Sequence, residues 1–95
     1  MPYVRVSIMK PMEGREQGVE EINRQLADFY RQQPGCIQSS FMKSNDGSGD
    51  MGRVSFWKSE EEADHAAVLS TSMALRSQLH LMIRAGHQDR SFITE

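Results

Sequence analysis

The sequence predicts an α+β domain of order βαββααβ, close to the ferredoxin-like split βαβ arrangement, with a four-stranded antiparallel sheet. Three observations point there. β-rich runs alternate with segments of helical spacing, and a polar, glycine-rich loop joins the two middle strands as a hairpin. The third is size: 95 residues, 38% hydrophobic and 25% charged, fit a single domain covering 1–95 and are too few for two cores.

The first strand, Tyr3 to Met9, puts Val4, Val6 and Ile8 on one side and Tyr3, Arg5, Ser7 and Met9 on the other. Lys10 to Gly14 breaks it. Val19, Ile22, Leu26, Phe29 and Tyr30 then recur at spacings of three and four, a helix of about four turns. Pro34 and Gly35 stop it, since proline lacks a donor and glycine permits the turn. Cys36 to Lys43 reads as a second strand, less clearly alternating, and Met51 to Trp57 as a third. The run Ser59, Glu60, Glu61, Glu62 is a capping box, in which the Ser59 hydroxyl accepts from the Glu62 amide and the Glu62 carboxylate answers the Ser59 amide. It opens a short helix through about Leu69. Ser70 to Ser72 interrupts that helix and can cap another, whose stripe is Leu75, Leu79, Met82 and Ile83, ending at Gly86. Arg90 to Thr94 closes the chain as a fourth strand.

Composition removes several function classes. Eleven basic against thirteen acidic residues, intermixed, give a net charge of −2 and no basic footprint for nucleic acid. No apolar run is long enough to span a membrane, and the N-terminus lacks the pattern of a signal peptide, so a cytoplasmic address is expected. The single cysteine, Cys36, cannot form an internal disulfide, which agrees with a reducing compartment. Phosphate loops, dinucleotide fingerprints, Cys-x-x-Cys pairs and His-Glu-x-x-His helices are missing. His65, His80 and His87 are scattered, and the Asn45 to Asp50 loop lacks the ligand spacing of a calcium site, so no metal is expected.

The informative segment runs from Gly52 to Ala63: a strand ending in Trp57, a capping Ser59 and an acidic helix start. It resembles the antibiotic biosynthesis monooxygenase family, as do Pro34 and Gly35 before the second strand and the element order over nearly the whole chain. The resemblance implies a dimeric α/β barrel, a homodimer whose two sheets face each other, and oxygenation of an electron-rich aromatic or polyketide-like substrate without metal or flavin. A deprotonated phenol or anthrone passes an electron to oxygen itself, so the protein need only bind it, favour the anion and exclude water. No cofactor is then called for. Oxygenating relatives carry an asparagine four residues before the tryptophan and a tyrosine six after it; here Arg53 and Ala63 occupy those places. Haem-degrading relatives carry an asparagine on the first strand, where this chain has Ser7, and a tryptophan and a histidine along the later helices, where this chain has no tryptophan. Haem degradation is therefore disfavoured.

The candidate catalytic residues are Trp57, Arg53 and His65, and the candidate substrate-binding residues Ser7, Ser55 and Phe29. Strand parity puts Arg53, Ser55 and Trp57 on one face, and Arg53 there can stabilise an anionic substrate or enolate. His65 is the nearest base in sequence. Each has a plainer reading: Trp57 as an indole closing the core, Arg53 as a surface or interface arginine, His65 as a surface histidine, Phe29 as core, Ser7 as a polar residue facing a partner sheet. The same scaffold also accommodates a non-catalytic dimeric binding or structural module.

Overall fold

The computed structural model describes residues 2–95 as β1 (Tyr3–Met9), α1 (Glu16–Arg31), β2 (Cys36–Lys43), β3 (Met51–Trp57), α2 (Glu60–Ala67), α3 (Ser70–His80) and β4 (Gln88–Ile93). All neighbouring strands are antiparallel, in the order β2-β3-β1-β4, the expected α+β topology. The weak alternation in β2 has a local cause. Cys36 pairs with Trp57 and Gln38 with Phe56, so Ile37 is an extra residue in a β-bulge and stays 54% exposed.

The helices cover one face. In α1 the residues Val19, Ile22, Leu26 and Tyr30 are buried and pack with Tyr3, Met9 and Trp57 of the sheet. Burial of such side chains is the main favourable term, roughly 1.5–3 kcal/mol each before entropy is counted. Gly35, just after α1, is required by its backbone conformation and also leaves room for the end of the Glu62 side chain. Its φ is +84°, and a Cβ there would meet the Glu62 carboxyl group of α2. That docking alters the expected capping box: Ser59 Oγ accepts from the Glu62 amide at 3.2 Å, while the Glu62 carboxylate takes the Ser59 hydroxyl at 3.0 Å instead of the amide.

Four further expectations shift in the C-terminal half. Ser72 caps no amides of α3; its buried hydroxyl lies 2.6 Å from the Ala66 carbonyl and ties the end of α2 to the start of α3, whose N-cap is Leu69. Met82 and Ile83 lie beyond α3 because their segment pairs with the chain leaving β1, through Met12 N to Met82 O (2.8 Å), Arg84 N to Lys10 O (2.9 Å) and a Pro11 to Ile83 bridge. Gly86, at φ +95°, turns the chain into β4 and ends no helix. The last strand starts two residues earlier than its sequence pattern indicates, because Gln88 and Asp89 pair with Ile8 and Ser7.

Cover over the sheet is uneven. α1 lies on β2 and β3, whereas every residue of β4 is exposed. The helix-side surface of β1 and β4 is thereby left as the floor of a cavity. On the opposite face Val4, Val6, Ile8, Val54, Phe56 and Phe92 stand together by register, with Ile8 39% and Phe92 45% exposed.

Candidate active site

Strand pairing builds the cavity floor. Tyr3, Arg5 and Ser7 of β1 face Trp57, Ser55 and Arg53 of β3, and Arg5 and Ser7 face Ser91 and Asp89 of β4. Because alternate residues share a face, all of these point to the helix side. Tyr30 from α1, Ala63 from α2, and Arg76 and His80 from α3 form the roof. The cavity, open to solvent at the Asp89 end, has a volume of about 380 Å³, inside the range of about 300–1,000 Å³ usual for small-molecule pockets.

Trp57 closes the inner end. It is only 1% exposed, its Nε1 donates to Ser55 Oγ at 2.8 Å, and its ring meets Tyr30 edge-on at 6.0 Å. The indole thus belongs to the core and to the cavity wall at once. Asp89 marks the solvent end, its side chain 64% exposed. Its Oδ1 accepts from the Ser7 hydroxyl at 2.7 Å and its Oδ2 lies 3.4 Å from His87 Nε2. The His87 ring in turn lies 5.0 Å from that of His80.

Arg53 is enclosed by protein, and the surface it keeps accessible faces the cavity. Its Nη1 donates to Asn23 Oδ1 at 2.9 Å. Asn23 is wholly buried in α1 and is oriented by its own donor, Nδ2 to the Val19 carbonyl at 3.0 Å. Burial pushes the Arg53 pKa down and the nearby Arg76 charge adds to that, with Tyr30 and Asp89 opposing. Arg76 donates to the Tyr30 hydroxyl at 3.2 Å and to the Ala67 carbonyl at 2.6 Å. Arg5 is paired with Asp64 and donates Nε–H to the Tyr3 hydroxyl at 3.1 Å. Its burial opposes its charge, but those two hydrogen bonds outweigh it and its pKa rises.

Of the sequence candidates, Trp57, Arg53, Ser55 and Ser7 therefore meet in one cavity. His65 does not: it is exposed on α2, opposite the buried Ala63 and Ala66. Phe29 packs beside Tyr30 against the core, outside the cavity lining. Sequence reasoning missed Asn23, Arg76 and Asp89 as site residues and weighed His80 only as a metal ligand. Asn23 had a signal, since it falls in step with Val19, Leu26 and Tyr30 on the buried stripe. Arg76 and Asp89 had none, because an arginine on an amphipathic helix and an aspartate before a strand are ordinary surface features. Among the described residues no cluster of three metal-ligating side chains occurs. Burial pushes the Cys36 thiol pKa up, which makes it a poorer nucleophile.

A cavity between one face of a βαββααβ sheet and its helices defines the class: a ferredoxin-like α+β domain with an internal pocket. The chain belongs to the antibiotic biosynthesis monooxygenase family, whose profile matches residues 2–72. The fold is shared with a cofactor-independent oxygenase, SnoaB from Streptomyces nogalater (TM-score 0.85, 14% identity, 99% of this chain and 93% of that one). It is shared too with a conserved protein from Methanosarcina mazei (0.92, 12%, 100% and 94%) and a putative antibiotic biosynthesis monooxygenase from Nitrosomonas europaea (0.88, 12%, 96% and 88%). A search of curated protein sequences finds no significant match.

Proposed function

We propose that this protein binds an electron-rich aromatic or polyketide-like molecule in the cavity and oxygenates it without a cofactor. The observation that carries this reading is the cavity of about 380 Å³ lying against Trp57 with Arg53 and Ser55 on its wall. The edges of Trp57 and Tyr30, both buried, close the inner end of the cavity against a flat ring, and Arg53 and Arg76 favour its anion. The His80 imidazole and the Asp89 carboxylate are the acceptors on the wall for the substrate proton. The anion then reduces dioxygen. In the net reaction one oxygen atom enters the product as a carbonyl and the other leaves as water with the two hydrogens of the oxidised carbon. The fold shared with SnoaB, a cofactor-independent oxygenase, supports this assignment.

The working unit in this reading is a homodimer in a cytoplasmic setting. The apolar side chains on the outer sheet face give the two sheets a surface to bury against each other. Among the described residues no helix is long and apolar enough to cross a membrane.

Oxygen uptake with an anthrone substrate tests the proposal. Turnover that survives chelator and falls about 10-fold or more in Trp57→Phe is expected. A second reading, a binding module without turnover, is favoured by one feature. Ala63, at the family's tyrosine position, puts no hydroxyl into the cavity. Saturable ligand binding with no oxygen consumption would establish it over the first.

A further inference from the structure

Of the four arginines that line the cavity, Arg5 is paired with Asp64 and the Arg90 guanidinium lies over the Phe92 ring on the other sheet face, which leaves Arg53 and Arg76 on the wall. Among the described residues, neither Arg53 nor Arg76 has a carboxylate within 4.0 Å, whereas Arg5 is neutralised by Asp64. The carboxylate on the cavity wall, Asp89, sits at the solvent end, engaged by Ser7 and His87. Neutral acceptors hold the two arginines: Asn23 Oδ1 for Arg53, and the Tyr30 hydroxyl and Ala67 carbonyl for Arg76. A guanidinium has five N–H donors, so these contacts use one on Arg53 and two on Arg76. The rest remain for a ligand. Taking two like charges out of bulk water beside each other is costly, and an anion between them offsets that cost where a neutral molecule does not.

We propose that Arg53 and Arg76 form an oxyanion clamp, so that the cavity selects a flat aromatic molecule bearing a carboxylate or bound as its phenolate over the uncharged form. The inference rests on the cavity being the ligand site, and it deepens that reading by naming the ligand's charge. Its geometry is asymmetric. Asn23, oriented by Val19, fixes Arg53 from α1 through a wholly buried amide, while Arg76 reaches in from α3 and is steadied by Tyr30, the residue that also touches Trp57. In the clamp a ring at the Trp57 end of the cavity presents its oxygen to both guanidiniums.

The test compares 2-naphthoate with its neutral isostere 2-naphthamide, by calorimetry on the intact protein at neutral pH. Naphthoate binding about 10-fold or more tighter than the amide is expected, the usual scale for one charge-assisted contact. Arg76→Gln should bring the two affinities together, while Arg24→Gln, which removes a surface charge on α1, should leave the ratio unchanged. A second arm uses 4-nitrophenol, whose colour reports ionisation. A bound phenolate spectrum at a pH where the free probe is neutral, lost in Arg76→Gln, assigns the clamp to the phenolate; preference only for naphthoate assigns it to a carboxylate. Equal binding of naphthoate and naphthamide, with the probe bound as neutral phenol, overturns the clamp and leaves the cavity reading standing. If none of the three binds, the cavity itself is not a ligand site. Because the wild-type comparison needs no variant, misfolding of Arg76→Gln cannot rescue the idea.

Discussion

The two faces of the sheet reverse the usual arrangement over β1, β3 and β4. Toward the helices the strands present Arg5, Ser7, Arg53, Ser55, Asp89 and Ser91, and toward the open side Val4, Val6, Ile8, Val54, Phe56 and Phe92. A half-covered antiparallel sheet ordinarily turns its apolar side to its helices. Here only the two ends do so, where Tyr3 and Trp57 are buried with Tyr30 at one and Met9 is buried, beside Met51, at the other. The polar stretch of the inner face is tolerated because a cavity lies over it and its groups are hydrogen-bonded, Ser55 by Trp57, Ser7 with Asp89, Arg53 by Asn23. The apolar outer face differs in the opposite sense: Val4 is buried within the protomer, but Ile8 and Phe92 stay 39% and 45% exposed on it. In the proposed reading one face serves a ligand and the other a second subunit, and each can be broken separately.

The largest effect belongs to the inner face. Trp57→Ala should cost about 3–5 kcal/mol, the usual range for deleting a buried aromatic, and abolish ligand binding. Urea denaturation followed by circular dichroism measures it, the sole tryptophan fluorophore being gone; a loss below about 1 kcal/mol would mean that Trp57 is not the core residue its 1% exposure indicates. Asn23→Leu sharpens the comparison within that face. It keeps the volume but strips Arg53 of its one acceptor, for an expected loss of about 1–3 kcal/mol and a weaker preference for anions. Stability equal to wild type would mean that the cavity, and not Asn23, satisfies Arg53.

Phe92→Asp tests the outer face. The protomer should keep its stability to within about 0.5 kcal/mol, Phe92 being 45% exposed, while light scattering shows the mass halved. An unchanged mass places the subunit contact elsewhere.

The smallest effect lies on neither face, in the hairpin loop. Hydrogen bonds from the Ser44 and Ser48 hydroxyls and the Ser48 amide hold the Asp46 pKa at about 2, against an ordinary 3.8. A folded-state pKa below the unfolded one makes this contribution complete above about pH 4, and it disappears as pH falls toward about 2. Carboxyl chemical shifts give the titration directly, and Ser44→Ala should move the midpoint upward. A midpoint already at the ordinary value in wild type would show that those contacts do not persist in solution.

Much of the fold was legible because its signals are local. The alternation of Tyr3 to Met9, the helical spacing from Val19 to Tyr30 and the capping serine at Ser59 each depend on neighbours within one or two turns. The parity that groups Arg53, Ser55 and Trp57 is equally local, so half of the candidate site could be assembled from one strand. Arg76 joins it only because α3 crosses over Tyr30, and Asp89 only because β4 pairs with β1 at Ser7. Nothing near either residue in the chain encodes that approach. His65 fails in the opposite direction: it is near Trp57 in sequence, but the small residues Ala63 and Ala66 turn their side of α2 inward and carry the imidazole out.

The sequence by itself determined the element order, the hairpin that joins the two middle strands and the two sides of β1 and β3, since these follow from periodicity and backbone chemistry over a few residues. Only the tertiary structure decided which of the two sides the helices cover. Alternation has the same period whichever way it points, and the choice depends on long-range packing of α1, α2 and α3 against Tyr3, Met9 and Trp57. That choice put the arginines inside and left the valines and phenylalanines out.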